Sequence, residues 1–147
     1  IIASAVVFAH WLTASGIPAG IVHYITEIGL KPWQFLLIVS AIIVALGMFL
    51  EAVSIMLITL PILVPLLKPL GIDPIHFAVV ITINIELALL TPPVGLNLFV
   101  VSNVAKEPLS VVLKGIWPLI GLMFGMLALI IFIPQISLWL PNLVYGQ

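Results

Sequence analysis

Asn84-Ile85-Glu86-Leu87-Ala88-Leu89-Leu90-Thr91-Pro92-Pro93-Val94-Gly95 lies inside a long apolar block and carries two consecutive prolines. Pro92 and Pro93 remove two backbone donors, and their rings clash with the preceding turn. A residue before proline is pushed out of the helical region, so Thr91 and Pro92 are expected to be extended. The stretch therefore reads as a break within a helix. In hydrocarbon the carbonyls freed by a break cannot be left unpaired, so a broken span is tolerated only where it is buried in protein or lines a watery cavity.

That the surroundings are hydrocarbon follows from composition. Of 147 residues, 64% are hydrophobic and 6% charged: four Lys, no Arg, four Glu and one Asp. A soluble domain carries about 25% charge. A soluble globular domain and a disordered tail are excluded, and so is a nucleic-acid binder, which needs a basic patch. The chain reads as an all-α integral membrane protein embedded in the lipid bilayer. The net charge of −1 implies no strong attraction to anionic partners, and the absence of Cys removes disulfides, thiolate-bound metals and thiol nucleophiles. The chain opens at Ile1 inside an apolar run with no basic flank, so a piece of a longer protein is expected here rather than a signal peptide.

Outward from the double proline, the polar interruptions divide a single membrane domain, residues 1–147, into four blocks. Residues 1–28 read as a span kinked around Gly16 and Pro18, with a helix–turn–helix as the alternative. Residues 32–67 are too many for one span of about 20 residues and too few for two with a loop. They fit a re-entrant hairpin of two short helices meeting near Gly47, interrupted in its second half by Pro61 and Pro65; one long tilted helix is the alternative. The link Lys68-Pro69-Leu70-Gly71-Ile72-Asp73-Pro74 reads as an interfacial turn, with Asp73 placed to cap the helix that Pro74 begins. Residues 75–104 form the broken helix, and residues 112–140 a final span with Trp117 and Trp139 at its two ends and Gly121 and Gly125 as a close-packing pair. The hairpin reading leaves Lys31 and Lys68 on one side and Lys106 and Lys114 on the other, so charge does not orient the chain.

Half-helices that end at membrane depth make an ion site without any charged side chain, because freed carbonyls at helix C-termini attract cations. Backbone carbonyls of Gly47, Ala88, Thr91, Val94 and Gly95, with the Thr91 hydroxyl, are candidate sodium ligands, and two interrupted segments close in sequence are the pattern of a secondary transporter. Ionisable groups at depth usually serve a pathway. Glu51 and Glu86 are accordingly candidates for the substrate pathway, with Ser54 and Asn84 as hydrogen-bonding partners and Pro92 and Pro93 shaping the break. His10, His23 and His76 have no metal-ligand spacing and are expected at the interface, so no transition-metal site and no cofactor are expected. No phosphate-cradling Gly-rich loop is present, which argues against nucleotide hydrolysis.

Taken together, Pro61-Ile62-Leu63-Val64-Pro65, Gly71-Ile72-Asp73-Pro74-Ile75-His76-Phe77, Asn84-Ile85-Glu86, Thr91-Pro92-Pro93-Val94-Gly95-Leu96-Asn97-Leu98-Phe99-Val100 and the closing Pro134-Gln135-Ile136-Ser137-Leu138-Trp139-Leu140-Pro141 resemble the large membrane subunit of tripartite ATP-independent periplasmic (TRAP) transporters, in its C-terminal part. The resemblance implies a multi-pass subunit in a bacterial or archaeal inner membrane. It implies sodium-coupled import of organic acids such as C4-dicarboxylates, keto acids or sialic acid. The implied partners are a periplasmic substrate-binding protein that delivers the acid and a small membrane subunit. It also implies two inverted repeats in an elevator-type fold, this chain being most of the second, with the sodium site formed by Gly47 at the hairpin tip and the carbonyls around Ala88, Thr91 and Val94. Family members often carry Gly where this chain has Ala88, which weakens Ala88 as a ligand more than Thr91.

Two readings from other classes compete. An intramembrane enzyme would use Glu51 and Glu86 as an acid–base pair, but no nucleophile or metal accompanies them, and the chain is not expected to be an enzyme. A passive assembly subunit accounts for the hydrophobicity and not for the two interrupted segments.

Overall fold

The structure, a computed structural model, describes residues 2–92 and 96–145. These form eight helices and no strand: α1 (Ile2–Ala14), α2 (Ile17–Glu27), α3 (Pro32–Gly47), α4 (Ala52–Leu67), α5 (Pro74–Leu90), α6 (Leu96–Ala105), α7 (Leu109–Phe132) and α8 (Gln135–Tyr145). Helix α5 is the axis of the arrangement. It packs against α3, α4, α6, α7 and α8, whereas α1 and α2 join the rest through α4. Its buried side chains, among them Phe77, Val80, Ile81, Ile85 and Leu87, form one core with Phe35, Leu36, Val39 and Ile43 of α3 and Ile120, Leu127, Ile130 and Ile131 of α7.

The first block is parted into α1 and α2 at Ser15 and Gly16. Two later boundaries share one construction. After α2 and after α4 a glycine with positive φ, Gly29 (64°) and Gly71 (66°), turns the chain, and the next amide reaches back five residues. Leu30 N–H donates to the Ile25 carbonyl (3.2 Å) and Ile72 N–H to the Leu67 carbonyl (2.9 Å). Only glycine adopts this backbone without strain, and a proline at the first position then starts the next helix. Asp73 caps α5 as its placement before Pro74 predicts, its Oδ1 accepting from Ile75 N–H (2.7 Å) and His76 N–H (3.3 Å). Asp73→Ala exposes those two amides and is expected to lower stability by about 1 kcal/mol, readable as a shift in the denaturation midpoint of the full-length protein.

Residues 32–67 form two helices, α3 and α4, joined by the turn at residues 48–51. Each helix has 16 residues, about 24 Å at the helical rise and short of the hydrocarbon core of about 30 Å. Pro61 and Pro65 do not interrupt α4, which runs through both. Each proline removes one rung of the ladder, a loss that helices in apolar surroundings absorb through neighbouring helices and Ser/Thr side chains. Nearby, the Thr59 hydroxyl donates to the Ile55 carbonyl (2.7 Å).

Among the described residues α7 alone, with 24 residues, has the length and hydropathy to cross a bilayer by itself. The last block is not one helix to residue 140. The helix stops at Phe132, because Pro134 has no N–H to continue the ladder and its ring drives Ile133 out of the helical region (φ −124°, ψ 79°) before α8 begins. Trp117 and Trp139 are both exposed. A Cβ added at Gly121 or Gly125 would meet nothing within 4 Å, so within this chain that face of α7 is open. Leu122 (71% exposed) and Phe49 (72%) belong to a broad apolar surface that water does not tolerate.

Candidate functional site

The chain breaks where the double proline requires it. α5 ends at Leu90, Thr91 is extended (φ −86°, ψ 127°), and α6 begins at Leu96. An unbroken ladder would bring the amides of residues 92 and 93 onto the carbonyls of Ala88 and Leu89, and proline has no amide hydrogen to bring. Ala88 O takes the Thr91 N–H instead, at 3.3 Å. The Thr91 hydroxyl donates to the Leu87 carbonyl. With its proton committed there, the lone pairs of this buried oxygen are free to accept. Pro93 and the carbonyls expected of Val94 and Gly95 lie outside the described residues; Pro92 is half-buried beside Thr91.

Gly47 is the last residue of α3 and is buried. In the following turn Met48 N–H donates to Val44 O (3.2 Å), while the Phe49 and Leu50 amides both go to Leu46 O (3.0 and 2.9 Å). Among the described residues no turn amide reaches the carbonyl of Gly47. Gly47 lies directly on Ala88: a Cβ built on it would overlap the Ala88 Cβ outright and come within 3.2 Å of the Ala88 Cα and of Ile55 Cδ1. The close approach sets the C-terminal end of α3 beside that of α5. Each such end carries roughly half a negative charge, so the two together form a locus of negative potential with no ionised side chain needed to make it.

Beneath that contact lies a buried polar pair. Asn84 is fully buried, and its Nδ2 donates to Ser40 Oγ on α3 and to the Val80 carbonyl, each at 2.9 Å. Its Oδ1 is buried with no hydrogen-bond partner among the described residues. Ser40, itself 5% exposed, is a residue that sequence reasoning missed. A serine alone among apolar residues in the interior of α3 was the available signal, but only the packing of α3 on α5 identifies its partner.

The carboxylates fall elsewhere. Glu51 is exposed and caps α4, its oxygens accepting from Val53 N–H (3.1 Å), Ser54 N–H (2.8 Å) and the Ser54 hydroxyl (2.7 Å). Ser54 is thus the hydrogen-bond partner expected for a carboxylate here, and the pair closes the first turn of α4. Glu86 is exposed on α5, and among the described residues its carboxylate accepts no hydrogen bond and makes none with Glu51. His10 and His23 are exposed. His76 is 3% exposed, in the first turn of α5 that Asp73 caps, and its Nδ1 lies 2.7 Å from Ser137 Oγ of α8. Among the described residues no three of His, Asp and Glu are grouped as a metal site would need.

A family model described as the DctM component of the tripartite ATP-independent periplasmic transporter matches residues 1–136. The chain is 45% identical over 142 residues, 97% of its length, to the C4-dicarboxylate TRAP transporter large permease protein DctM of Pseudomonas aeruginosa. It is 37% identical over 140 residues to the sialic acid TRAP transporter large permease protein SiaM of Vibrio cholerae, and 32% identical over 135 residues to the isethionate TRAP transporter permease protein DctMQ of Oleidesulfovibrio alaskensis. The matches cover 97%, 93% and 92% of this chain but 33%, 33% and 21% of those proteins, so it spans about a third or less of the length of the relatives it matches. All three are named as transporter permeases and none as an enzyme.

Proposed function

Because the chain belongs to the DctM-component family of tripartite ATP-independent periplasmic transporters, we propose that it carries a coupling-sodium site of a large permease that imports organic acids. The observation that supports this most is the meeting of two helix C-terminal ends at Gly47 and Ala88, beside a Thr91 hydroxyl whose proton is already committed to Leu87. Sodium is a hard cation that takes oxygen ligands, and half-helix C-termini with unwound carbonyls are where transporters coordinate it. The ligands from described residues are the carbonyl of Gly47 and the carbonyl and hydroxyl of Thr91. Ala88 O, bonded to the Thr91 amide, is the weaker contributor. Bound sodium would offset the repulsion between the two helix ends and order the hairpin tip, lowering the electrostatic cost of a substrate carboxylate nearby.

In this reading α3 and α4 are a re-entrant hairpin, each too short to cross, and the interrupted α5–α6 segment lies against it within an inner membrane. The motion is elevator-like, and the small membrane subunit and a periplasmic substrate-binding protein are the partners. Glu51 serves the hairpin by capping α4, which leaves that helix end without net positive character for an anion. The substrate class is an organic anion of the kinds named for the relatives.

The test is uptake into proteoliposomes holding the full-length permease with its small subunit. C4-dicarboxylates, sialic acid and isethionate would be offered with and without an inward sodium gradient, and with and without the cognate binding protein. Uptake that requires both gradient and binding protein is the expected result. Uptake indifferent to sodium would sink the coupling assignment, and uptake without any binding protein would sink the tripartite one.

A further inference from the structure

We propose that Ser40 and Asn84 are a positioning pair that sets the register of α3 against α5, and with it the spacing of the oxygens at the cation site. The inference rests on the sodium reading above and assigns to it two side chains that touch neither ion nor substrate.

The geometry is a pair of facing columns with the same spacing, in contact at two points. On α3, Ser40, Val44 and Gly47 follow one another at steps of four and three; on α5, Asn84, Ala88 and Thr91 do the same. Residues at these steps share one helix face. All six are buried, and the two columns touch at both levels, Asn84 on Ser40 through the 2.9 Å hydrogen bond and Ala88 on Gly47 by direct contact. The helices therefore run in the same direction, and the polar pair lies about two turns from the close approach along α3 and about one turn from it along α5.

Apolar packing alone does not hold such a register, because Leu, Ile and Val surfaces fit one another nearly as well after a small slide. A hydrogen bond between one amide and one hydroxyl has a single good position. Asn84 is also an expensive residue to keep, since its Oδ1 is buried and unpaired and a leucine of similar shape would avoid that desolvation. A buried polar group that does not improve stability is best attested as a device for register. Gly47 and Thr91 stand at the far end of this lever, so a slide permitted at Ser40 moves the Gly47 carbonyl relative to the Thr91 oxygens.

The experiment uses the full-length permease with its small subunit and binding protein in proteoliposomes. Ser40→Ala, Asn84→Leu and the double variant would be compared with wild type in half-saturating sodium concentration and in thermal unfolding midpoint. Ser40→Ala removes one of the two acceptors of Asn84 Nδ2, leaving only the Val80 carbonyl, and Asn84→Leu takes the donor from Ser40 Oγ, so each single variant is expected to unfold earlier. The double variant removes both polar groups and is expected to recover or exceed the wild-type midpoint. Half-saturating sodium is expected to rise about three- to tenfold in all three, with the double variant no worse than the worse single. Recovery of stability without recovery of sodium affinity is the signature of positioning. Unchanged sodium affinity in the double variant overturns the proposal, as does a double-variant shift equal to the product of the two single shifts. If Asn84→Leu fails to fold, Ser40→Ala decides by the same sodium readout. A wild type indifferent to sodium would instead remove the site reading on which the pair depends.

Discussion

Gly47→Ala is expected to abolish sodium-dependent uptake and to lower the unfolding midpoint, and Ala88→Gly in the same chain is expected to restore most of both. The added methyl would occupy the position of the Ala88 Cβ, so the backbones of α3 and α5 must part. Overpacking of this kind costs about 1–3 kcal/mol, more than the gain of up to ~1 kcal/mol that alanine brings to a helix over glycine. The functional loss is expected to exceed the stability loss, because parting the helices separates the two ends proposed to make the cation site. Removing the Ala88 methyl transfers the small residue from one helix to the other and reopens the contact. The rescue is incomplete, since Ala88 Cα and Ile55 Cδ1 still lie 3.2 Å from the new methyl. Thermal unfolding and proteoliposome uptake of the single and double variants would check this. A Gly47→Ala variant that transports normally would mean that the close approach is not needed, and a double variant as inactive as the single would place the fault at Gly47 itself.

Thr91→Val is expected to raise the half-saturating sodium concentration about tenfold, a factor that corresponds to about 1.4 kcal/mol, while the protein still folds. Valine matches threonine in shape and removes the one side-chain oxygen at the break. It also removes the hydroxyl's bond to Leu87 O, a net loss of about 1 kcal/mol in stability. Thr91→Ser keeps the oxygen and is expected to stay near wild type, which separates the ligand from the methyl. Sodium-dependence curves at saturating substrate are the measurement. An unchanged curve for the valine variant would take the side chain out of the site and leave only its carbonyl.

The chain break beside Thr91 was legible because it is made by backbone chemistry. Pro92 and Pro93 cannot donate, so the end of α5 and the extended Thr91 follow from residue chemistry alone. The division of residues 32–67 into two short helices followed from arithmetic, since they are too many for one span and too few for two. Where local chemistry yields to neighbours, the outcome changed. Pro61 and Pro65 lie within α4 and do not end it, while Pro134 ends α7. His76 stands beside a turn, and only the packing of α5 on α8 brings its imidazole to Ser137.

By itself, then, the sequence determined that this protein lives in hydrocarbon, that its helices break at Thr91 and turn near Gly47, and which family it resembles. These properties depend on composition, on missing amide hydrogens and on segment length, all of which are local. Only the tertiary structure decided that Gly47 rests on Ala88 and that Ser40 meets Asn84. Contacts between distant parts of the chain depend on register, and apolar side chains of similar size leave register undetermined until the backbones are in place.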